Sequence, residues 1–192
     1  KVRGSVVDAL RARNDSPDSN ALILSSLGKL PENEEADYAA RIDRHVGGDL
    51  GSTNPIMIST SAEFDILKLT GFGLFSFGRD LEPFATSETV EKWQTSTDRM
   101  LDKVVLRDDL VWSDGEPITA YDIAFTYKVI MDPRVPVPAV RSGTDQLRWV
   151  EAYDDRTVVF FHKEPLATNV WNINFPVLPK HIYEKTWEAD PT

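Results

Sequence analysis

No cysteine occurs in the chain. That excludes disulfides, thiolate metal sites and cysteine nucleophiles, and it leaves the redox compartment open. No apolar run approaches the roughly 18 residues that a membrane-spanning helix needs. The three-part pattern of a signal peptide is also missing, because residues 1–13 mix Lys1, Arg3, Asp8, Arg11 and Arg13 with apolar side chains. Basic residues are in deficit: 21 Lys plus Arg stand against 31 Asp plus Glu, a formal charge of −10. A field of that sign repels phosphate backbones and anionic headgroups, so nucleic acid is not an expected partner. Its first consequence is solubility, with a weak preference for cationic or zwitterionic ligands.

Reactive constellations are lacking too. His45, His162 and His181 stand far apart and have no His-x-x-x-His or carboxylate spacing suited to zinc. There is no Gly-x-Ser-x-Gly elbow. Gly71 and Gly73 fail as a dinucleotide fingerprint, since Ser76 takes the place of the third glycine and no strand leads into a helix there. Asp108 with Asp109 and Asp154 with Asp155 are sequence neighbours in turns, whereas a glycosidase pair usually comes from separate elements. No catalytic residue, metal site or cofactor is therefore expected. What remains is an ordinary globular composition, 41% hydrophobic and 27% charged, over 192 residues. A chain of that size can bury one sizeable core or two small ones.

Residue spacing predicts an amphipathic helix over 2–13, a loop over 14–20, an apolar helical turn or strand over 21–30, and an acidic helix or linker over 31–38. A strand over 40–46, with Ile42 and Val46 apolar, runs into a turn-rich loop ending at Pro55. Next come a helix over 63–70 with Phe64 and Leu67 inward, and a short alternating strand over 74–77. Residues 83–92 are polar and predicted as loop, with Trp93 the anchor into the core. Residues 134–143 are proline-rich and predicted as a surface loop. Residues 146–152 and 157–162 are β-rich runs joined through Asp154-Asp155-Arg156, a hairpin. The run 176–181 opens a last helix through Tyr183.

Residues 104–133 are the most informative stretch. Val104, Val105 and Leu106 form a strand, Ser113-Asp114-Gly115 a turn with Gly115 supplying positive φ. Thr119 takes the N-cap of a helix and Asp122, three residues on, completes a carboxylate variant of the capping box. Ala120, Ile123, Ala124, Tyr127, Ile130 and Met131 recur at helical spacing, and Pro133 stops the helix. Tyr121, Tyr127, Trp112 and Trp149 belong to core or surface rather than to a ligand stack.

This stretch resembles the signature of the family 5 extracellular solute-binding proteins, the peptide-, dipeptide- and nickel-binding receptors of bacterial ABC importers. The matching residues are Leu106, Arg107, Val111, Trp112, Asp114, Gly115, Pro117, Thr119, Ala120 and Asp122. Ser113 stands where the family often has His, and Tyr121 where it usually has an acidic residue. Further resemblances follow in order at Leu50-Gly51-Ser52-Thr53-Asn54-Pro55, at Gly73-Leu74-Phe75, from Val90 to Trp93 and from Val150 to Val159. They end at Pro165 and at Leu178-Pro179-Lys180-His181, so that the resemblance covers residues 42–185.

The resemblance implies an α+β chain, the N-terminal part of a periplasmic-binding-protein type II-like fold. Residues 1–40 would be an N-terminal extension of helix and linker, 41–60 the first-lobe strand and loop, 61–178 an inserted accessory domain, and 179–192 the return to the first lobe. Family members are well over twice as long, so the opposing lobe is expected outside these residues. The implied function is non-catalytic ligand capture: the substrate-binding component of an ABC-type importer for oligopeptides or dipeptides. Its partners would be a small-molecule or peptide ligand and ABC permease subunits. Its place would be periplasmic or extracellular, membrane-associated through an anchor not present in this chain. In such receptors the loop after the first strand lines the ligand cleft, which makes Val46, Gly47, Gly48 and Asp49 the candidate ligand-binding residues. Glycine there allows backbone to approach ligand closely. Asp49 either meets a ligand ammonium or closes an ordinary strand-to-loop turn. Two other classes stay open: a stand-alone α+β interaction module without a small-molecule ligand, and a carboxylate-dependent hydrolase.

Overall fold

The computed structural model describes residues 41, 43, 48–78 and 80–190. The chain divides into two units, Lys1–His45 and Val46–Thr192. The elements expected before residue 40, and the strand 40–46 apart from Arg41 and Asp43, lie outside the described residues. The second unit holds, in chain order, α1 (Ser61–Thr70), β1 (Phe75–Phe77), β2 (Pro83–Ala85), β3 (Val90–Thr95), β4 (Leu101–Leu106) and α2 (Ala120–Met131). After these come α3 (Pro138–Thr144), β5 (Leu147–Ala152), β6 (Thr157–His162), α4 (Asn169–Asn172) and α5 (Lys180–Ala189). The α+β class is as expected.

Period-two alternation builds the main sheet, which is antiparallel in the order β3-β4-β6-β5. Residues opposite each other share a face. The inward rows are Thr95, Asp102, Phe160 and Val150, then Trp93, Val104, Val158 and Ala152. Outward lies the row Leu101, Phe161 and Trp149, with Trp149 49% exposed. The hairpin over 147–162 forms as expected, its turn closed by Asp154 Oδ1, which accepts the N–H groups of Arg156 at 2.9 Å and Thr157 at 2.7 Å.

Across the inner face lies α2. Both halves of its capping box form, with Thr119 as N-cap and Asp122 as the third helical residue. Every residue of its expected apolar face is buried except Met131, which is partly so, and Phe125, Thr126 and Val129 are buried as well. The stripe widens because one side meets β5 and β6 while α5 packs on another, with Phe125 edge-on to Trp187 at 5.8 Å. Ile123 and Ile130 are fully buried, and each contributes about 2 kcal/mol of apolar transfer.

Three expectations are corrected. Residues 83–92 are not loop: β2 pairs with β1, and β3 forms a sheet edge. Their polarity misled because an edge strand carries charge on its open side, as Glu91 and Lys92 do, and proline is tolerated at a strand's first residue. Residues 134–143 are not simply surface loop either, since α3 begins with Pro138 at its first turn. Arg141 secures it by donating to the carbonyls of Ile130 at 2.7 Å, Asp132 at 2.6 Å and Val135 at 2.5 Å. In α1, Phe64 does not point inward; it is 48% exposed, and the buried residue is Glu63. Trp93 does anchor β3, half-buried and edge-on to Phe75 at 5.0 Å. The last helix starts where expected and runs on past Tyr183 to Ala189.

Candidate functional site

Val46 and Gly47 lie outside the described residues. Gly48 sits at a bend, exposed, and a Cβ placed on it would meet nothing within 4 Å. Asp49 is exposed as well. Nothing in the packing of the described residues requires glycine at 48.

The segment just after this exposed pair is held by Glu63. Glu63 is only 3% exposed, and its carboxylate accepts four backbone N–H groups. Oε1 takes Gly51 at 2.8 Å and Ser52 at 2.9 Å; Oε2 takes Ser59 at 2.7 Å and Thr60 at 2.9 Å. Glu63 N–H in turn donates to Thr60 Oγ1 at 3.3 Å, closing a capping box at the start of α1. Between the clamped ends, Asn54 Oδ1 accepts Ile56 N–H at 3.2 Å and Asn54 O accepts Met57 N–H at 3.0 Å. Ile56 and Ile58 are buried. A Cβ at Gly51 would stand 3.1 Å from Glu63 Oε1, so a larger residue there would have to push that carboxylate aside by a few tenths of an ångström. Nothing in the apolar periodicity revealed Glu63, yet Thr60-Ser61-Ala62-Glu63 is a capping-box sequence that signals it.

The N–H groups of Ser59, Thr60 and Ser52 hold the Glu63 carboxyl down from 4.5 to about 2. A folded-state pKa below the unfolded one means stability that is complete above about pH 4.5 and is lost as pH falls toward about 2. The amide resonances of Gly51, Ser52, Ser59 and Thr60 are therefore expected to titrate together in that acid window. Glu63→Gln keeps one accepting oxygen, so two of the four amides should exchange with solvent at pH 7 about tenfold faster or more. Unchanged exchange at all four would show that the carboxylate does not hold the loop.

Two histidines that are isolated in sequence each find a carboxylate. His181 Nε2 lies 2.7 Å from Asp114 Oδ2, joining the first turn of α5 to the turn at Gly115. There Gly115 has φ of 90° and Asp114 Oδ1 accepts Glu116 N–H at 3.2 Å, the structural role expected for Asp114 and Gly115. The His181 hydrogen bond, and after it the Glu116 N–H, lowers the Asp114 pKa. His162 Nε2 lies 2.7 Å from Asp102 Oδ2 inside the sheet's covered face. Among the described residues no group of three His, Cys, Asp or Glu could hold a metal ion. Tyr127 is core, its hydroxyl donating to Leu147 O at 3.3 Å, while Tyr121 and Trp149 are surface.

The model of the bacterial extracellular solute-binding proteins, family 5, middle region, matches residues 86–192. Protein XP55 of Streptomyces lividans is 30% identical over 148 residues, covering 72% of this chain and 27% of that protein. The periplasmic oligopeptide-binding protein OppA of Haemophilus influenzae is 27% identical over 141 residues, covering 73% and 25%. Among solved structures, the ABC transporter substrate-binding protein CtaP of Listeria monocytogenes superposes with a TM-score of 0.59 at 31% identity, over 72% of this chain and 28% of that one. The chain thus spans about a quarter of the length of these relatives.

Proposed function

Because the chain belongs to the family 5 bacterial extracellular solute-binding proteins, we propose that it is part of a receptor that captures oligopeptides or dipeptides for an ABC importer. In this reading the protein is non-catalytic and periplasmic or extracellular, and it delivers its ligand to permease subunits. Among the described residues, no helix is long and apolar enough to cross a membrane. The observation that carries the ligand assignment is the clamp: Glu63 fixes residues 51–60 while leaving Gly48 and Asp49 beside them exposed. An exposed glycine and an exposed carboxylate, just before the clamped Gly51 in sequence, suit a backbone ligand with an ammonium terminus. The Haemophilus relative, a periplasmic oligopeptide-binding protein, is consistent with that chemistry.

In the complete receptor, Asp49→Asn is expected to weaken binding of a free-amino tripeptide about tenfold in calorimetric titration, and to leave its N-acetylated form unaffected. Equal losses, or none, would remove Asp49 from the ligand. The 192-residue chain by itself should bind neither peptide with submicromolar affinity, because one wall of a cleft lacks the contacts made on closure.

A further inference from the structure

The main sheet has one covered face and one open one. α2 lies across the inner face, and none of the outward apolar residues of β4, β6 and β5 belongs to the hydrophobic core or packs against it. The open face is apolar where the solvated face of an antiparallel sheet is ordinarily polar. Leu101, Phe161 and Trp149 form one row across the three strands, with Trp149 and Leu101 exposed. Val105, Thr157 and the exposed Tyr153 form another. We infer that this face is an interaction surface for a second copy of this chain, which pairs with it about a two-fold axis running along β6. The surface shares no residue with the loop held by Glu63, and it stands independently of the peptide-receptor reading.

The order of side chains within each row selects a copy of the same chain over another partner. The middle row reads Lys103, Val159, Glu151 across β4, β6 and β5. Within one chain β6 keeps these two charges two strand spacings apart, about 10 Å between backbones. A two-fold axis along β6 leaves each row at its own height and exchanges β4 with β5 of the facing copy. Lys103 of each copy then stands over Glu151 of the other, so that two ion pairs form and no like charges meet. Glu151 Oε2 accepts the Trp149 indole N–H at 2.6 Å, which orients both side chains and leaves Oε1 for the incoming ammonium.

The same rotation matches the apolar rows. It sets Leu101 over Trp149 and Val105 over Tyr153, and it brings Phe161 and Val159 against their own counterparts on the axis. β3 falls beyond the edge of the facing copy, where its outward Lys92 and Gln94 make a polar rim around an apolar centre. Three strands of about five residues each measure roughly 14 Å by 17 Å. That is small for an obligate dimer, so the association is weak and concentration-dependent.

Sedimentation velocity of the complete protein from about 1 µM to 1 mM tests the pairing, in about 0.15 M salt so that repulsion between the acidic copies is screened. A monomer–dimer equilibrium with a Kd of about 0.1 mM is expected. Lys103→Glu and Glu151→Lys should each weaken it at least about tenfold, because each sets like charges face to face twice. The two together should restore it to within about threefold of wild type, and Trp149→Ser should abolish it. All these substitutions change outward side chains, so circular dichroism and Tm should match wild type. A wild type that stays monomeric throughout would overturn the proposal, since the face then serves another occupant or is covered by the remainder of the protein. Lys103→Glu dimerising as tightly as wild type, or a double variant no tighter than the single ones, would also overturn it by placing the dimer on a different surface.

Discussion

Asp122→Ala should lower the melting temperature by about 10 °C, more than any other single surface-remote polar substitution in α2. Its carboxylate serves two partners with two oxygens. Oδ2 accepts the Thr119 N–H at 2.7 Å and its hydroxyl at 3.1 Å, and Oδ1 accepts the Lys180 N–H at 2.7 Å. Alanine removes an N-terminal cap, worth about 1 kcal/mol. It also leaves two backbone donors unsatisfied in a buried setting, at about 1 kcal/mol or more each. The loss of about 3 kcal/mol therefore combines a helix start with the docking of the returning chain. Asp122→Asn separates these contributions. Asparagine offers one accepting oxygen, so it retains the cap or the Lys180 contact and should fall between wild type and alanine. One turn on, Thr126 Oγ1 accepts the Leu178 N–H at 2.9 Å while donating to Asp122 O at 2.7 Å. Thr126→Val thus removes only the second tether, and should cost about 1–2 kcal/mol. Thermal unfolding by circular dichroism orders the series; an alanine variant melting with wild type would mean that the return segment is held by apolar packing alone.

That series also shows why α2 was legible in sequence while its surroundings were less so. Everything that defines α2 is local: the cap at Thr119, the carboxylate at Asp122, the 3.6-residue spacing of apolar side chains and the stop at Pro133. The β5–β6 hairpin is local too, since alternation and a three-residue polar turn suffice. By contrast, α3 depends on Arg141 reaching three carbonyls outside its own element, and a lone arginine in a proline-rich run gives no hint of that. β2 and β3 read as loop because an edge strand needs only one row of inward residues. The capping-box sequence at Thr60 marks Glu63 as a cap, but not as buried; its burial is tolerated because four amides from two separate stretches converge on it. Of the expected ligand-binding quartet, Gly48 and Asp49 are exposed, while Val46 and Gly47 lie outside the described residues.

Asp102 and His162, sixty positions apart, show the same dependence on tertiary structure and carry the second large effect. Asp102→Ala is expected to destabilise the protein by about 4 kcal/mol, because it strands donors that meet at one buried carboxylate. Those donors are His162 Nε2–H, Trp93 Nε1–H and the Thr95 hydroxyl. The exposed Thr95 turns to water, and Trp93 is only half-buried, so the stranded imidazole carries most of the loss. Replacing both members of the pair by apolar side chains, as in Asp102→Leu with His162→Phe, removes the polar groups together and should recover most of the stability. Acid separates the two proteins further. The Asp102 pKa is lowered in the folded state, so its contribution is present in full above the ordinary aspartate value near about pH 4 and is lost as pH falls through the folded-state value. Wild type should therefore lose stability over that acid range by a step absent from the double variant. Urea denaturation between pH 7 and the acid limit of folding measures it. A double variant no more stable than Asp102→Ala would mean that the pair fixes the geometry of β4 against β6 through a shape that apolar side chains cannot supply.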